Sequence, residues 1–371
     1  KPKIITFPHA SVYLGNTIKI LGNRVIKILI PTEHSSFVDK FLSIQYFGNV
    51  KSHKIYNEIN KIDYIFTQSY YIKKFLINST KLTHNYIFNT GHLFYNSWSY
   101  QKPKNKKIKK IGIALTNEYI LRRYKDKNYL RNLFMLNNEV DLTQNNWRLK
   151  QINFDQYYFC LIHELIKRLS RDYSVELRTH TVDSESDFKF LVNDNVSISK
   201  NINAKKWIEQ QDLIISTFSF INIDSYIFGK PHVSLANIIP QEFYYKLYET
   251  FDPREIPEIN SIKPTNLDEL MRDIKKIKFK KNNKLDFLLK KYFSFPYRKN
   301  PLDIASDELV KIFNKNKIKK TKFIMNKKEK RVSALIGKKF TFFISYFCTQ
   351  IKFFLDKDSN NSYFDFLFFR K

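Results

Sequence analysis

Apolar residues alternate along this chain between short continuous runs and longer stretches with helical spacing. The short runs predict strands at residues 4–7, 25–30, 63–68, 84–89, 111–117, 175–178, 212–216 and 232–235. The stretches with helical spacing predict helices at residues 11–23, 70–78, 157–169, 187–191, 204–210, 221–229, 267–277 and 301–313, with Ser69 and Asn266 as N-caps. This alternation of strand and helix predicts an α/β fold with parallel sheets.

A polar, basic stretch at residues 101–110 (QKPKNKKIKK) interrupts this alternation and is the best candidate for a linker. The 371 residues suffice for two domains of ordinary size. We therefore predict a first domain at 1–105, a second at 106–315 and a C-terminal tail at 316–371. No internal repeat suggests a different organisation.

The chain carries a formal net charge of +29, which suits a nucleic acid or an anionic membrane as partner. Residues 315–339 alone contribute +10, because eleven Lys or Arg residues face only Glu329. The alternative is a bias of composition: Lys, Asn, Ile, Phe and Tyr are all abundant, as an AT-rich genome would encode on any fold. The two cysteines, Cys160 and Cys348, lie far apart, which disfavours a disulfide framework and fits a reducing cytoplasm.

The tail continues with a very aromatic segment, FTFFISYFCTQIKFFL at 340–355. Its polar residues disfavour a transmembrane helix, but a basic segment beside a Phe-rich one suits an anionic membrane surface. We therefore predict membrane-surface binding through residues 315–355. The alternative is a C-terminal helix that packs against the body of the protein.

The stretch from Asp212 to Pro231 combines a strand, a hydroxyl-rich turn and a helix. Ser216, Thr217 and Ser219 form the turn, at the carboxyl end of a predicted strand, where α/β proteins bind their ligands. The N–H groups of the following helix and the hydroxyls predict a phosphate-binding turn. The alternative is an ordinary strand-to-helix turn with Ser and Thr caps.

Two further loops of the second domain end predicted strands in the same way. Thr116 and Asn117 follow one strand, and Arg178 and His180 follow another. Arg178 and His180 suit a diphosphate, and Asp224 could accept hydrogen bonds from ribose hydroxyls. A capping or core role is the alternative for His180.

Several familiar nucleotide and hydrolase motifs are missing from the sequence. There is no Gly-rich dinucleotide motif, no P-loop lysine motif and no nucleophile elbow. The one D-x-D, at 356–358, lies in the tail. We therefore expect no metal and no bound cofactor, with the nucleotide acting as a co-substrate.

In the first domain, two loops offer candidate residues for an acceptor. Glu33 and His34 follow the strand at 25–30, and Thr90, Gly91 and His92 follow the strand at 84–89. Glu33 could act as general base on an acceptor hydroxyl. The alternative for Glu33 is an ordinary surface carboxylate.

From about residue 5 to 315, the order of motifs resembles the bacterial surface carbohydrate biosynthesis proteins. The motifs that carry the resemblance are VIKILIPTEHSSF, DYIFTQS, IFNTGHLFYNSW, KKIGIALTN, ELRTHTVDSESDF and DLIISTFSFINIDSYIFGKP. More remotely, the chain is similar to capsule Kdo transferases, polysialyltransferases and CDP-glycerol glycerophosphotransferases. The resemblance implies a glycosyltransferase with two Rossmann-like domains facing a crevice (GT-B type). It also implies that the first strands of the N-terminal domain precede Lys1, and that helix 301–315 closes the fold near the domain junction.

Individual residues match the family patterns unevenly. The R-x-H-P-x-E pattern resembles Arg178, His180 and Asp183, with Thr181 in place of Pro. Asp224 replaces the Glu that usually follows the Ser-rich turn. The D-E-E-G loop keeps only Glu33, and the T-G-N-P-R-x-D loop becomes residues 90–96 without its Arg and Asp. The acceptor side therefore departs from the family more than the donor side does.

These observations predict a metal-independent glycosyltransferase that uses a nucleotide-activated sugar. The predicted acceptor is a surface polysaccharide or lipopolysaccharide, on a lipid carrier at the cytoplasmic face of the membrane; nucleic acid is not an expected partner. Three alternatives stay open: a non-catalytic binder of an anionic surface with an eroded site, a sugar-nucleotide epimerase, and a CDP-glycerol-type glycerophosphotransferase.

Overall fold

A computed structural model gives the structure of this chain and describes residues 4–7, 25–31, 62–79, 84–96, 98–103, 106–115, 157–179, 185–199, 203–217, 219–240 and 260–315. All of these residues belong to one compact unit, Lys1–Lys315, whereas Asn316–Lys371 form a second. The helix predicted at 11–23 and the predicted tail lie outside the described residues, and the predicted boundary between residues 105 and 106 stays a prediction.

The first sheet has four parallel strands in the order β1-β2-β3-β4. They are β1 (Ile4–Phe7), β2 (Ile26–Leu29), β3 (Tyr64–Thr67) and β4 (Ile87–Asn89). Every residue of β3 is buried, as expected for a strand of a parallel sheet that is covered on both faces. This explains why its sequence, YIFT, is a continuous run without the alternation of a half-exposed strand.

Helix α1 (Tyr70–Ser79) follows β3. The Ser69 hydroxyl accepts a hydrogen bond from the Ile72 N–H at 3.2 Å, which confirms the predicted cap. The strand predicted from residue 84 is wrong in its first half, because His84–Tyr86 form a 3-10 turn. Only Ile87–Asn89 pair with β3, and Tyr86 is 43% exposed, so the turn lies outside the sheet.

The second sheet has five parallel strands in the order β7-β6-β5-β8-β9. They are β5 (Lys110–Ala114), β6 (Ser174–Arg178), β7 (Val196–Ile198), β8 (Leu213–Ser216) and β9 (His232–Ser234). The chain moves outward from β5 through β6 to β7 and then returns to the other side of β5. This order places a topological switch point between β5 and β8. The predicted α/β class with two parallel, Rossmann-like sheets is confirmed.

Helices cover both faces of the second sheet. They are α2 (157–169), α3 (Ala204–Gln210) and α4 (Ile221–Ile227). On one face, α2 shares a core with Ile111, Ile113 and Ile215. On the other face, α3 approaches so closely that a Cβ on Gly112 would lie 2.6 Å from Cζ2 of Trp207. A larger residue than glycine would therefore push α3 away from β5.

The C-terminal part of the described chain is helical and differs in detail from the prediction. Its helices are α5 (Leu267–Asp273), α6 (Asn283–Phe293) and α7 (Pro301–Lys315). The helix predicted at 267–277 is too long, because Ile274–Lys276 tighten into a 3-10 turn. Glu185–Leu191 form a 3-10 helix where a short helix was predicted, and the sequence patterns missed β7 and α6.

Helix α7 packs against the first sheet. Ala305 and Ile312 of α7 share a hydrophobic cluster with Ile28, Tyr64 and Phe66 of β2 and β3. Pro301 begins the helix, as its sequence predicted, since proline suits the first helical position. The first and second sheets are thus held in one unit by a helix that follows the second sheet in sequence but packs on the first.

Candidate functional site

The carboxyl ends of four strands meet in one row along the second sheet. The strand register pairs Ala114 with both Arg178 and Ser216, and pairs Ser216 with Ser234. Neighbouring strands lie about 4.8 Å apart, so this row brings residues from distant parts of the sequence together. Ala114 and Ser216 flank the switch point between β5 and β8, the position where open α/β sheets bind ligands.

The turn after β8 buries polar groups, not all of which have a partner. Ser216 and Thr217 are each 1% exposed, and the Thr217 hydroxyl has no hydrogen-bond partner among the described residues. Asn222 in α4 is also 1% exposed, and within the described part of the chain both polar atoms of its side chain lack a partner. Such groups cost roughly 1–3 kcal/mol each when left unsatisfied, whereas a ligand at the turn could supply their partners.

The third hydroxyl of the predicted turn contributes to local structure. The Ser219 hydroxyl accepts a hydrogen bond from the Ile221 N–H at 3.3 Å, at the start of α4. A hydroxyl that accepts one hydrogen bond can still donate its own O–H. Because α4 has only seven residues, we base the site on side-chain groups and not on the dipole of the helix.

Arg178 and Asp224 influence each other electrostatically, and Tyr95, from the first half of the chain, contacts Asp224. The Tyr95 hydroxyl donates a hydrogen bond of 2.8 Å to Oδ1 of Asp224, which is 4% exposed. Burial raises the pKa of Asp224 to about 7, although the Tyr95 hydrogen bond and the Arg178 charge both act to lower it. Burial also lowers the pKa of Arg178, against the opposing effect of Asp224. Asp224 thus has partners within the protein, and its predicted contact with ribose stays a prediction.

A buried histidine, which the sequence analysis missed, connects the row to a neighbouring segment. Nε2 of His232 lies 2.7 Å from the Ser216 hydroxyl oxygen, and Nδ1 lies 2.7 Å from that of Ser261. Burial lowers the pKa of His232 to about 3, so its ring is neutral near pH 7. A neutral ring has one donor and one acceptor nitrogen, so the two serine hydroxyls must play opposite roles.

The predicted acceptor loop after β4 is packed inside the protein. Thr90 and His92 are 2% and 0% exposed, and the His92 N–H donates to the Tyr297 hydroxyl at 3.1 Å. Gly91 has a φ of +86°, and a Cβ there would lie 2.9 Å from the Tyr297 ring. The described contacts of this loop are structural, and its contact with an acceptor stays a prediction.

The remaining predicted site residues, Glu33, His34, Thr116, Asn117 and His180, lie outside the described residues, and their roles stay predictions. The strands that lead to Thr116 and His180 are β5 and β6, which end in the row described above. The structure therefore brings together Arg178, Ser216, Thr217 and Asp224.

Two broader properties concern only the described part of the chain. Within it, no three His, Cys, Asp or Glu residues are grouped so that they could hold a metal ion. None of its helices combines the length and the apolar character needed to cross a bilayer.

Comparison with known proteins gives no match to a family model and no match to a curated protein. Among solved structures, the chain is similar to the wall teichoic acid polymerase TagF, with 15% identity, 79% of this chain and 70% of that chain covered, and a TM-score of 0.45. It is similar to a putative UDP-N-acetylglucosamine 2-epimerase from Listeria monocytogenes, with 11% identity, coverages of 88% and 78%, and a TM-score of 0.40. It is also similar to the calicheamicin glycosyltransferase CalG4, with 8% identity, coverages of 85% and 74%, and a TM-score of 0.40. At these identities and TM-scores, function has to be argued from the residues of this chain.

Proposed function

We propose that this chain is a glycosyltransferase of the GT-B type, which moves a sugar from a nucleotide-activated donor to a surface polysaccharide or lipopolysaccharide acceptor. The observation that carries the proposal is a pair of buried side chains at the switch point of the second sheet, Thr217 and Asn222, whose polar atoms have no hydrogen-bond partner among the described residues. The proposal includes the division into domains at 1–105 and 106–315, with a tail at 316–371.

The site supplies what a departing nucleotide needs. When the bond between the sugar carbon and the phosphate oxygen breaks, negative charge develops on the leaving phosphate. Arg178 offers a fixed positive charge, and Thr217, Ser219 and the Asn222 amide offer hydrogen-bond donors. In the proposal, His180 is a further donor to this phosphate, and Asp224 contacts ribose after it exchanges its internal partner.

The acceptor side completes the proposed reaction. Glu33 removes the proton from an acceptor hydroxyl, whose oxygen then forms the new bond to the sugar carbon. His34 and residues Thr90, Gly91 and His92 border this side, and Thr116 and Asn117 border the nucleotide. No metal ion takes part in the proposed reaction, and the chain acts in the cytoplasm on a lipid-linked acceptor.

A donor-consumption assay tests this proposal. The purified chain is incubated with CMP-, CDP-, UDP- and GDP-activated sugars and CDP-glycerol, in EDTA, with a lipid-linked glycan extract as acceptor. We expect one donor class to release its nucleotide only when the acceptor is present. Replacing Thr217 by Val should lower that rate roughly tenfold to a hundredfold, whereas Val310→Ala, at an exposed position of α7, should leave it unchanged.

A second candidate function is a non-catalytic binder of an anionic surface, membrane or nucleic acid, with an eroded active site. The burial of Thr90 and His92 inside the protein and the internal hydrogen bond of Asp224 favour it. Nucleotide binding without consumption of any donor would support this candidate and contradict the transferase. Release of free sugar in the absence of an acceptor would instead indicate an epimerase-type reaction.

A further inference from the structure

Positive charge is concentrated in one part of the described chain. Ten Lys or Arg residues lie between Lys275 and Lys299, and Asp286 is the only acidic residue among them. The neighbouring helices are different: α5 contains three acidic residues and one Arg, and α7 contains three acidic residues and two Lys. The positive charge is therefore concentrated in residues 275–299 and is not shared by the helices on either side.

The one carboxylate in this segment is already engaged. Oδ1 of Asp286 accepts hydrogen bonds of 2.8 Å from the hydroxyls of Tyr100 and Tyr226. The Nζ of Lys281 lies 3.7 Å from the other oxygen, Oδ2. Asp286 thus offsets only one of the ten positive charges in this segment.

Helix α6, at the centre of the segment, has an apolar inner face and a mixed outer face. Leu285 and Leu289 are buried. On the opposite side, Phe287 is 63% exposed, and Lys284 and Lys290 are exposed on either side of it in sequence. The spacing 284, 287, 290 keeps these three side chains on neighbouring positions of one helix face.

Helix α1 extends this face. The rings of Tyr71 in α1 and Tyr292 in α6 lie 5.3 Å apart, and the Nζ of Lys291 lies 4.0 Å from the centre of the Tyr71 ring. Next to Tyr71, Tyr70 is 57% exposed, and the Nζ of Lys74 lies 5.6 Å from the Tyr70 ring. We name this surface the α1–α6 face; it consists of Tyr70, Lys74, Lys284, Phe287, Lys290 and Lys291.

We propose that the α1–α6 face docks the protein on an anionic lipid surface. Lysines at such a surface are attracted by the headgroup charge, and an exposed phenylalanine can enter the boundary between headgroups and acyl chains. The apolar ring decides between partners, because the phosphates of a nucleic acid duplex would require only the cations. Single-stranded nucleic acid, which also stacks on aromatic rings, is the alternative that the experiment includes. This inference does not depend on the proposed function.

The test compares the full chain with two triple variants that match in charge and in the loss of one phenylalanine. The first, Lys284→Glu/Phe287→Ser/Lys290→Glu, changes the α1–α6 face. The control, Lys311→Glu/Phe313→Ser/Lys315→Glu, changes exposed positions of α7, where Phe313 is 51% exposed. Binding is measured by co-sedimentation with vesicles of phosphatidylcholine, with and without phosphatidylglycerol, and by titration with a labelled single-stranded oligonucleotide.

We expect the wild-type chain to bind only the vesicles that contain phosphatidylglycerol. The first variant should bind them at least about tenfold more weakly, as expected from the loss of two lysines and the reversal of their charge, and the control should bind within about twofold of wild type. Equal losses in both variants, or undiminished binding of the first variant through another part of the chain, would overturn the inference. So would a loss of oligonucleotide binding without a loss of vesicle binding.

A single substitution keeps the inference testable even if the triple variant does not fold. Phe287→Trp places an indole at the centre of the α1–α6 face, and Phe313→Trp places one on α7 as its control. The fluorescence of the new indole is obtained by subtracting the wild-type emission spectrum from that of each variant. Phosphatidylglycerol vesicles should shift this difference spectrum to shorter wavelength for Phe287→Trp and leave it unchanged for Phe313→Trp. No shift for Phe287→Trp would contradict insertion of this face.

Discussion

Thr217 and Asn222 are the single residues on which the proposed donor site rests. Their polar side-chain atoms are buried and have no partner in the described structure. A core selected only for stability would have replaced these groups with apolar side chains of similar shape. In the proposed function, a ligand at the switch point of the second sheet supplies the missing partners.

Thr217→Val should therefore stabilise the ligand-free protein. Valine keeps the shape of threonine and removes the unpartnered hydroxyl, so we expect a gain of about 1 kcal/mol in the free energy of unfolding. Urea denaturation measures this, with Thr90→Val as the control, because the Thr90 hydroxyl donates to the Gly91 carbonyl at 3.1 Å and its loss should destabilise. A loss of stability in Thr217→Val would mean that its hydroxyl has a partner.

Asp224 makes stability depend on pH in a direction opposite to that of most carboxylates. Its pKa rises from an ordinary value of 3.8 to about 7 in the folded protein. The folded state therefore holds this proton more tightly than the unfolded state does. The stability that Asp224 contributes is complete below pH 4 and is lost as the pH rises towards 7, a change of roughly 4 kcal/mol.

Comparing the wild type with Asp224→Asn isolates this effect. Between pH 4 and pH 7, the free energy of unfolding should fall in the wild type relative to the variant. His232, with its pKa lowered from 6.5 to about 3, acts in the opposite direction, but it is present in both proteins and cancels. Urea denaturation at several pH values gives the comparison, and parallel pH profiles would show that Asp224 does not titrate in this range.

At the scale of elements, the sequence predicted most strands, helices and helix caps, because short-range patterns of residues determine them. Strand β8 and helix α4 lie within the predicted ranges, and both predicted caps are present, since the Glu269 N–H donates to Asn266 at 2.8 Å and the Ile72 N–H to Ser69. Helix α6 was missed although Leu285, Leu289 and Phe293 recur at helical spacing and Asn282 caps it in the usual way. The three-residue strand β7 is too short to show a period.

Contacts between distant elements could not be predicted from the sequence. Tyr95 and Asp224 are 129 residues apart, and His232 meets Ser261 because Ile262, the next residue, pairs with Val233 of β9. The order of strands in the second sheet decides these contacts, and no local pattern encodes that order. Ser216 and Thr217 could be selected from the sequence because they lie at the end of one predicted strand, and their role in binding stays a prediction.

The contact between β5 and α3 offers a test at this scale. Gly112→Ala places a Cβ where the Trp207 ring lies, so we expect a loss of about 1–3 kcal/mol in the free energy of unfolding. Phenylalanine lacks the Cζ2–Cη2 part of the indole, so Trp207→Phe should make Gly112→Ala less costly. If the two substitutions have additive effects in urea denaturation, the close approach is not present in solution.

At the scale of the whole molecule, the net charge of +29 is divided between the compact unit and the tail. Residues 1–315 form a compact unit by themselves. Deleting residues 316–371 should therefore leave the midpoint of thermal unfolding unchanged. A clear fall in that midpoint would support the alternative that the tail packs against the body of the protein.

The most direct test of the account is nucleotide binding at the second sheet. Thermal unfolding of the full chain is followed with CMP, CDP, UDP and GDP and their sugars, without added metal, for the wild type and Thr217→Val. A ligand that binds the folded state at a hundred times its Kd adds about 2.7 kcal/mol of stability. We predict that one nucleotide class raises the Tm of the wild type and raises that of Thr217→Val less. No shift with any nucleotide, in a sample that unfolds cooperatively, would contradict the proposed donor site.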